Sequence, residues 1–236
     1  MVVRKHERFY GPELCGAAPG TVVVQPENRG TAPAILYAVL RLAVTAPTRP
    51  VAIVPSDHYV CDDDAFMARL QSALDTTQAR AEKVILLGIE PDRPETEYGW
   101  IEPGELLLGQ SWPLYAVKRF WEKPSPPVAA RLARAGCFWN SFVMVAHPAR
   151  LQGLICAAVP RLAAAIVARL GTAWEDEAAR TVYAPLPAID FSKRVLEARP
   201  ASLAVFPVSG FEWNDLGDPA RVCATQWRTR RNVASA

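Results

Sequence analysis

Apolar residues fall along this chain in two patterns. Short unbroken runs alternate with longer stretches in which apolar positions return every three or four residues. "TVVVQ" (21–25) predicts a strand, and "TAPAILYAVLRLA" (31–43) predicts a helix with Thr31 as its N-cap. "VAIV" (51–54) predicts a second strand, buried on both faces because nothing polar interrupts it. "DDDAFMARLQSALDTTQAR" predicts a helix whose leading acids suit the positive end of the helix dipole, and "KVILLGI" (83–89) a third strand. This rhythm predicts an α/β fold, a mostly parallel sheet covered by helices.

The rhythm changes after Ile89. "EPDRPETEYGWIEPGE" is rich in Pro and Glu and predicts a loop leading into a hairpin. "YAVKRFWEKP" (115–124) predicts a strand stopped by proline, "PPVAARLARAG" a short helix ending at Gly136, and "SFVMVA" a strand. A helical region broken by Pro160 runs to about Leu170. "DFSKRVLEAR" predicts a helix, "SLAVFPV" a strand, and "DPARVCATQWR" a final helix capped by Asp218. Most of the 21 prolines fall between elements, with no repeat and no clean linker, so residues 1–236 read as one domain.

Half of the residues are apolar, enough for a sizeable core. The formal net charge of +2 is spread along the chain, with no basic run for nucleic acid and no acidic tail. The five cysteines are scattered and form no CxxC pair. Reduced thiols in a cytoplasmic protein are expected, not a zinc site or a disulfide framework. "MVVRKHERFYG" lacks the apolar core of a signal peptide, and 151–170 is too interrupted by Pro160, Arg161 and Arg169 for a membrane span. The oligomeric state is left open, and a homo-oligomer is compatible with everything above.

Candidate chemistry collects at strand ends, where open α/β sheets bind ligands. Asp57 follows "VAIVPS", and Asp215 lies in "FEWNDLGDP" after a predicted strand. Two such acids suit Mg²⁺ shared with substrate phosphates; equally, each acid suits a turn or helix cap. "QPENRGTAPAI" runs from a strand through a polar loop into a helix N-terminus. Its free N–H groups, Arg29 and Gly30 suit an anion, Gln25 suits a base edge, and an ordinary strand–helix turn reads the same way. "EYGWIE" (97–102), "FWEKP" (120–124) and "FWNS" (138–141) bring acids, an amide, a lysine and indoles of the kind a sugar-phosphate pocket uses. Singly, each is also a solvated pair or a core aromatic.

The order of these motifs is more specific than any one of them. "QPENRGTAPAI", "VPSDHYV", "GIEPDRPETEYGWIE", "VKRFWEKP", "FWNSFVMV" and "WNDLG" resemble, in that sequence, the sugar-phosphate nucleotidyltransferases, and most the mannose-1-phosphate guanylyltransferases. The resemblance covers about Val2 to Val222. It implies a Rossmann-like, GT-A-like sheet and transfer of GMP from GTP to mannose 1-phosphate, with pyrophosphate leaving. Gln25 and the loop Asn28, Arg29, Gly30 and Thr31 would bind the nucleotide. Asp57 and Asp215 would hold Mg²⁺. Tyr98 and Gly99 would line the sugar pocket. Glu122 and Asn140 would hold sugar hydroxyls, and Lys123 the sugar phosphate. The substrate supplies the nucleophile, so no Ser-His-Asp or Cys-His set is needed, and His58 reads as a packing residue or a support for its neighbours.

Three departures stand out. Trp100 replaces a frequent tyrosine, and Phe142 follows "WNS" where many members have glycine. The family's opening G-x-G-T-R-L loop, which wraps the triphosphate, has no counterpart here, and "MVVRKHERFY" resembles the family's second strand and the helix after it. The domain is therefore expected to be incomplete at its N-terminus, its first strand missing, and its activity impaired. "VAIV" should then lack a neighbour on one side, or something else must fill the slot. Two alternatives follow: a non-catalytic nucleotide or sugar-phosphate binding relative or regulatory subunit, and a nucleotidyltransferase using glucose 1-phosphate with dTTP or UTP.

Overall fold

The computed structural model describes residues 1–18, 20–109, 112–170 and 176–234. In chain order its elements are β1 (Val2–Val3), α1 (Glu7–Glu13), β2 (Val24–Gln25), α2 (Thr31–Thr45), β3 (Val51–Ile53), β4 (His58–Val60), α3 (Asp63–Ala79), β5 (Val84–Ile89), β6 (Trp100–Leu106) and β7 (Tyr115–Trp121). There follow α4 (Pro126–Arg134), β8 (Phe138–Ala146), α5 (Pro148–Ala158), α6 (Pro160–Leu170), α7 (Asp176–Tyr183), β9 (Leu203–Val208), β10 (Trp213–Asp215) and α8 (Pro219–Ala234). The chain forms two compact units, each built from two separate stretches: residues 1–50 with 147–202, and 51–146 with 203–236.

The first unit is mainly helical. Residues 32, 35, 36, 39 and 40 of α2 are buried at the helical period, and α2 packs on α5 and α6. Pro160 separates α5 from α6, since it cannot extend the preceding helix. Tyr183 of α7 is buried and donates its hydroxyl to the Pro33 carbonyl at 3.1 Å. Burial raises its phenol above the ordinary range. β1 and β2 pair in parallel, Val3 opposite Gln25. The predicted strand 21–25 is thus shortened to Val24–Gln25, and the predicted helix at "DFSKRVLEAR" contains a wide, π-helical turn at Ser192–Leu196.

The second unit contains a six-stranded sheet of order β3-β8-β5-β9-β7-β6. All six residues of β5 are buried. Leu87 and Ile89 of β5 join Trp100, Val143, Val145 and Phe206 in the core. The α/β class stands, but the sheet is mixed rather than mostly parallel. β3 and β5 run the same way, as the strand–helix–strand rhythm predicts. However, β8 is inserted between them antiparallel, and β7 lies antiparallel between β9 and β6. β5 and β9 are the parallel neighbours. The start of β8 also pairs with β6, so the ladders lead from β8 through β5, β9, β7 and β6 back to β8.

β3 pairs only with β8 among the described residues and therefore lies at the sheet edge. The expectation of one open side holds; the expectation of burial on both faces does not. None of its three residues is fully buried and Ala52 is exposed. β4, too short to stand out in the sequence, forms an antiparallel ribbon with β10. Among the described residues no helix is long and apolar enough to cross a membrane.

Candidate active site

The β4–β10 ribbon brings the two predicted acids together. Its register sets Asp215 opposite His58, and the Leu216 N–H donates to the Asp57 carbonyl at 2.8 Å. Gly217 lies between the carboxylates. A Cβ there would stand 2.8 Å from Asp215 Oδ1 and 3.8 Å from Asp57 Oδ2, so the missing side chain leaves both oxygens facing one small space. Asp215 is also held from two sides: Oδ1 accepts from the Gly217 N–H, and Oδ2 lies 3.2 Å from Arg221 Nη1. Among the described residues no group of three or more His, Cys, Asp and Glu could hold a metal ion. His58 packs edge-on to Trp213, ring centroids 5.1 Å apart, and accepts from the indole N–H at 3.4 Å. Burial lowers its imidazole below the ordinary 6.5, against the opposing pull of Asp57 and Asp215.

The predicted sugar residues meet where β6, β7 and β8 come together. Asn140 donates its N–H to the Gly99 carbonyl at 2.8 Å. A Cβ on Gly99 would lie 3.0 Å from Glu122 Oε2 and 3.3 Å from the Asn140 Cβ. Glycine at 99 thus lets the Glu122 carboxylate and the Asn140 Cβ approach the same backbone, while Asn140 Oδ1 accepts from the Phe142 N–H at 3.2 Å. Lys123 follows Glu122 at the end of β7, exposed, with Nζ 3.2 Å from Glu97 Oε2. Tyr98 is nearly buried, its ring edge-on to Trp139 and Trp213. Its hydroxyl donates to Asn214 Oδ1 at 3.0 Å. It forms a wall of this region, its hydroxyl already engaged.

Lys123 (φ 45°) and Phe142 (φ 60°) are the non-glycine residues with left-handed backbone among those described. Each such residue costs about 1–3 kcal/mol and persists only where the surroundings enforce it. One adjoins Glu122, and the other lies two residues past Asn140. Phe142 occupies the position where the resemblance expects glycine, and its backbone supplies the reason: that conformation carries no steric cost for glycine.

In the first unit, Gln25 ends β2 with its side chain buried, and its Oε1 has no hydrogen-bond partner among the described residues. The loop after it is clasped to Ile189. The Ile189 N–H donates to the Arg29 carbonyl at 2.9 Å, and the Ile189 carbonyl accepts from Ala32 N–H at 3.0 Å. Gly30 is the N-cap of α2, at φ 80°, and a Cβ there would lie 2.5 Å from the Ile189 carbonyl oxygen. Thr31 is therefore the first helical residue, not the predicted cap, and its hydroxyl accepts from the Phe191 N–H at 2.8 Å. Asn28 Oδ1 accepts from the Gly30 N–H at 3.0 Å. Arg29 pairs with Glu27 at 2.6 Å and donates to the Ala184 carbonyl at 2.7 Å. The free amides and free cation expected of this loop are thus partly engaged within the unit.

Sequence reasoning missed three residues. Glu97, inside the quoted "EYGWIE", pairs with Lys123. Arg221 sits over the Tyr98 ring, 5.0 Å from its centroid, while reaching Asp215. Ser141 is buried, donating to the Leu87 carbonyl at 2.7 Å and accepting from the Val143 N–H at 3.1 Å. The one available signal was for Arg221. Asp218 caps α8 through the Ala220 N–H, which places residue 221 in the first turn beside Asp215.

A curated xanthan biosynthesis protein, XanB, of Xanthomonas campestris is 30% identical over 231 residues, covering 92% of this chain and 46% of that protein. A mannose-1-phosphate guanylyltransferase of Escherichia coli K12 is 33% identical over 207 residues, covering 83% of this chain and 42% of that protein. This chain thus spans less than half the length of these relatives. A crystal structure from Thermus thermophilus, described as a mannose-1-phosphate geranyltransferase, superposes with a TM-score of 0.78 at 31% identity. That match covers 91% of this chain and 59% of the other. The family model for nucleotidyl transferases matches residues 13–226, and this chain belongs to that family.

Proposed function

We propose that the chain carries the site for nucleotidyl transfer from GTP to mannose 1-phosphate, giving GDP-mannose and pyrophosphate. The observation that carries this reading is the convergence of Glu122 and Asn140 on Gly99, flanked by the two strained residues. A carboxylate beside Gly99, with an amide residue packed against the same backbone, suits sugar hydroxyls. Lys123 suits the sugar phosphate once it leaves Glu97. That exposed pair is worth at most about 1 kcal/mol, so the exchange is easy. The buried, unpartnered Gln25 Oε1 suits the N–H donors of guanine, and the following loop the ribose and phosphates.

Asp57 and Asp215 supply hard oxygen donors facing one space, which fits Mg²⁺. When bound there, Mg²⁺ would neutralise charge on the reacting phosphates. The protein's own part is alignment: it holds the phosphate oxygen of the sugar in line with the α-phosphorus of GTP, and needs no nucleophile of its own. Phosphorylated, membrane-impermeant substrates make the cytoplasm the proposed place of action.

A second reading, binding without turnover, is supported by the pairing of Asp215 with Arg221. Thermal shift and pyrophosphate release together separate the readings. GDP-mannose, and not UDP-glucose, should raise Tm. Stabilisation by UDP-glucose alone would refute the mannose and guanine assignment. Stabilisation by GDP-mannose with no pyrophosphate release from GTP and mannose 1-phosphate would establish the second reading.

A further inference from the structure

The guanidinium of Arg221 borders the proposed site. It is 21% exposed and makes two contacts of different kinds, an ion pair to Asp215 Oδ2 at 3.2 Å and a stacking contact 5.0 Å from the centroid of Tyr98. Its Nη1 is buried yet lacks a well-aligned hydrogen bond, so the pair is charge against charge without directional locking. The small space shared with Asp57 Oδ2 is faced by Asp215 Oδ1, while Arg221 holds the other oxygen of the same carboxylate, Oδ2. Tyr98 is fixed by its hydroxyl bond to Asn214, which is itself anchored by donating to Thr225 at 2.8 Å. The ring therefore keeps its place whether or not the guanidinium touches Asp215.

We propose that Arg221 is a built-in stand-in cation: from Oδ2 it neutralises Asp215 while the divalent site on the Oδ1 side is empty, and a divalent ion must compete with its charge to bind. The inference rests on the reading of Asp57 and Asp215 as a divalent-cation site. When the ion takes over the charge of Asp215, Arg221 keeps the contact it already makes over the Tyr98 ring, where a cation remains favourable. Arg221 is thus a positioning residue. Acting through Asp215, it sets the threshold concentration at which the ion enters. No bond is made or broken.

The test is binding of Mn²⁺, followed by electron paramagnetic resonance, to the 236-residue chain and its variants. Arg221→Gln should bind Mn²⁺ about fivefold more tightly than the wild type, the scale expected for a partly exposed pair. Arg221→Lys, which keeps the charge, should stay within about twofold of the wild type. Should the glutamine variant fold poorly, Arg221→Met, which keeps the apolar stem over Tyr98, takes its place. Mn²⁺ binding that is lost in Asp215→Asn but unchanged or weaker on removal of the Arg221 charge overturns the stand-in role and leaves the divalent site standing. Mn²⁺ binding indifferent to both Asp57→Asn and Asp215→Asn overturns the site itself, and Arg221's role with it.

Discussion

Two glycines near the candidate sites are crowded by different kinds of atom. At Gly30 the obstruction is the backbone of Ile189, and φ is positive. Gly30→Ala should cost more than about 2 kcal/mol, from left-handed strain and from breaking the clasp to Ile189. Thermal denaturation should show a large fall in Tm. At Gly99 the nearest atoms are the ends of the Glu122 and Phe120 side chains. Gly99→Ala should fold with a loss of about 1–3 kcal/mol, because Glu122 Oε2 can swing aside but the buried Phe120 ring and Asn140 Cβ can only give slightly. It should nevertheless abolish the Tm rise with GDP-mannose. A retained ligand shift in that variant would count against Gly99 lining the sugar pocket.

Cys137 gives a pH dependence with a definite sign. Burial pushes its thiol from 9.0 up to about 11. The unfolded chain therefore loses this proton before the folded chain does, and the contribution to stability is full below pH 9.0 and lost as pH rises towards about 11. Cys137→Ala should flatten that part of the stability profile. At about pH 8 the exposed Cys15, Cys61 and Cys223 should react with a disulfide reagent in the folded protein, and Cys137 only on unfolding.

At the scale of elements, β8 carries the main irregularity. Its register against β5 shifts between Leu86 and Gly88, and Phe142 adopts its left-handed turn within that interval. Ser141 spans the break with two buried hydrogen bonds. Ser141→Ala leaves the Leu87 carbonyl and the Val143 N–H short of partners and should cost about 1–3 kcal/mol. Urea unfolding should show a lower midpoint with unchanged slope. Most elements here were legible because their apolar period decides helix or strand. α2, α3 and α4 lie close to where the pattern put them, as does the β6–β7 hairpin. Strand direction was not legible, because an apolar run reads the same both ways. The left-handed turn at Phe142 was not legible either, since nothing local to an aromatic residue calls for it.

At the scale of the whole molecule, each unit is discontinuous, so neither is encoded by one stretch of chain. Residues 51–146 alone would leave β5 without its parallel neighbour β9, and β4 without β10. A fragment of those residues should show neither near-ultraviolet dichroism nor dispersed amide resonances; joining residues 203–234 through a short linker should restore both. Folding of 51–146 alone would mean that the second unit does not need β9. The candidate site was legible to the extent that motif order reports it. Residue types at strand ends pointed to Asp57, Asp215, Glu122 and Asn140. The pair Lys123–Glu97 was not, since it joins residues from different elements through geometry that spacing does not encode, and for Asp215–Arg221 the Asp218 cap was the one signal.

The crowding at Gly30 and Gly99 also bears on how such sequences diverge. Where side-chain ends close a gap, a second substitution can reopen it, so position 99 is free to change jointly with 120 or 122 and to carry the pocket towards another sugar. Where main-chain atoms close it, no replacement at the facing residue makes room, because every residue has the same backbone. Position 30 therefore has no partner with which to drift, and the loop it anchors changes only if the segment around Ile189 is rebuilt with it.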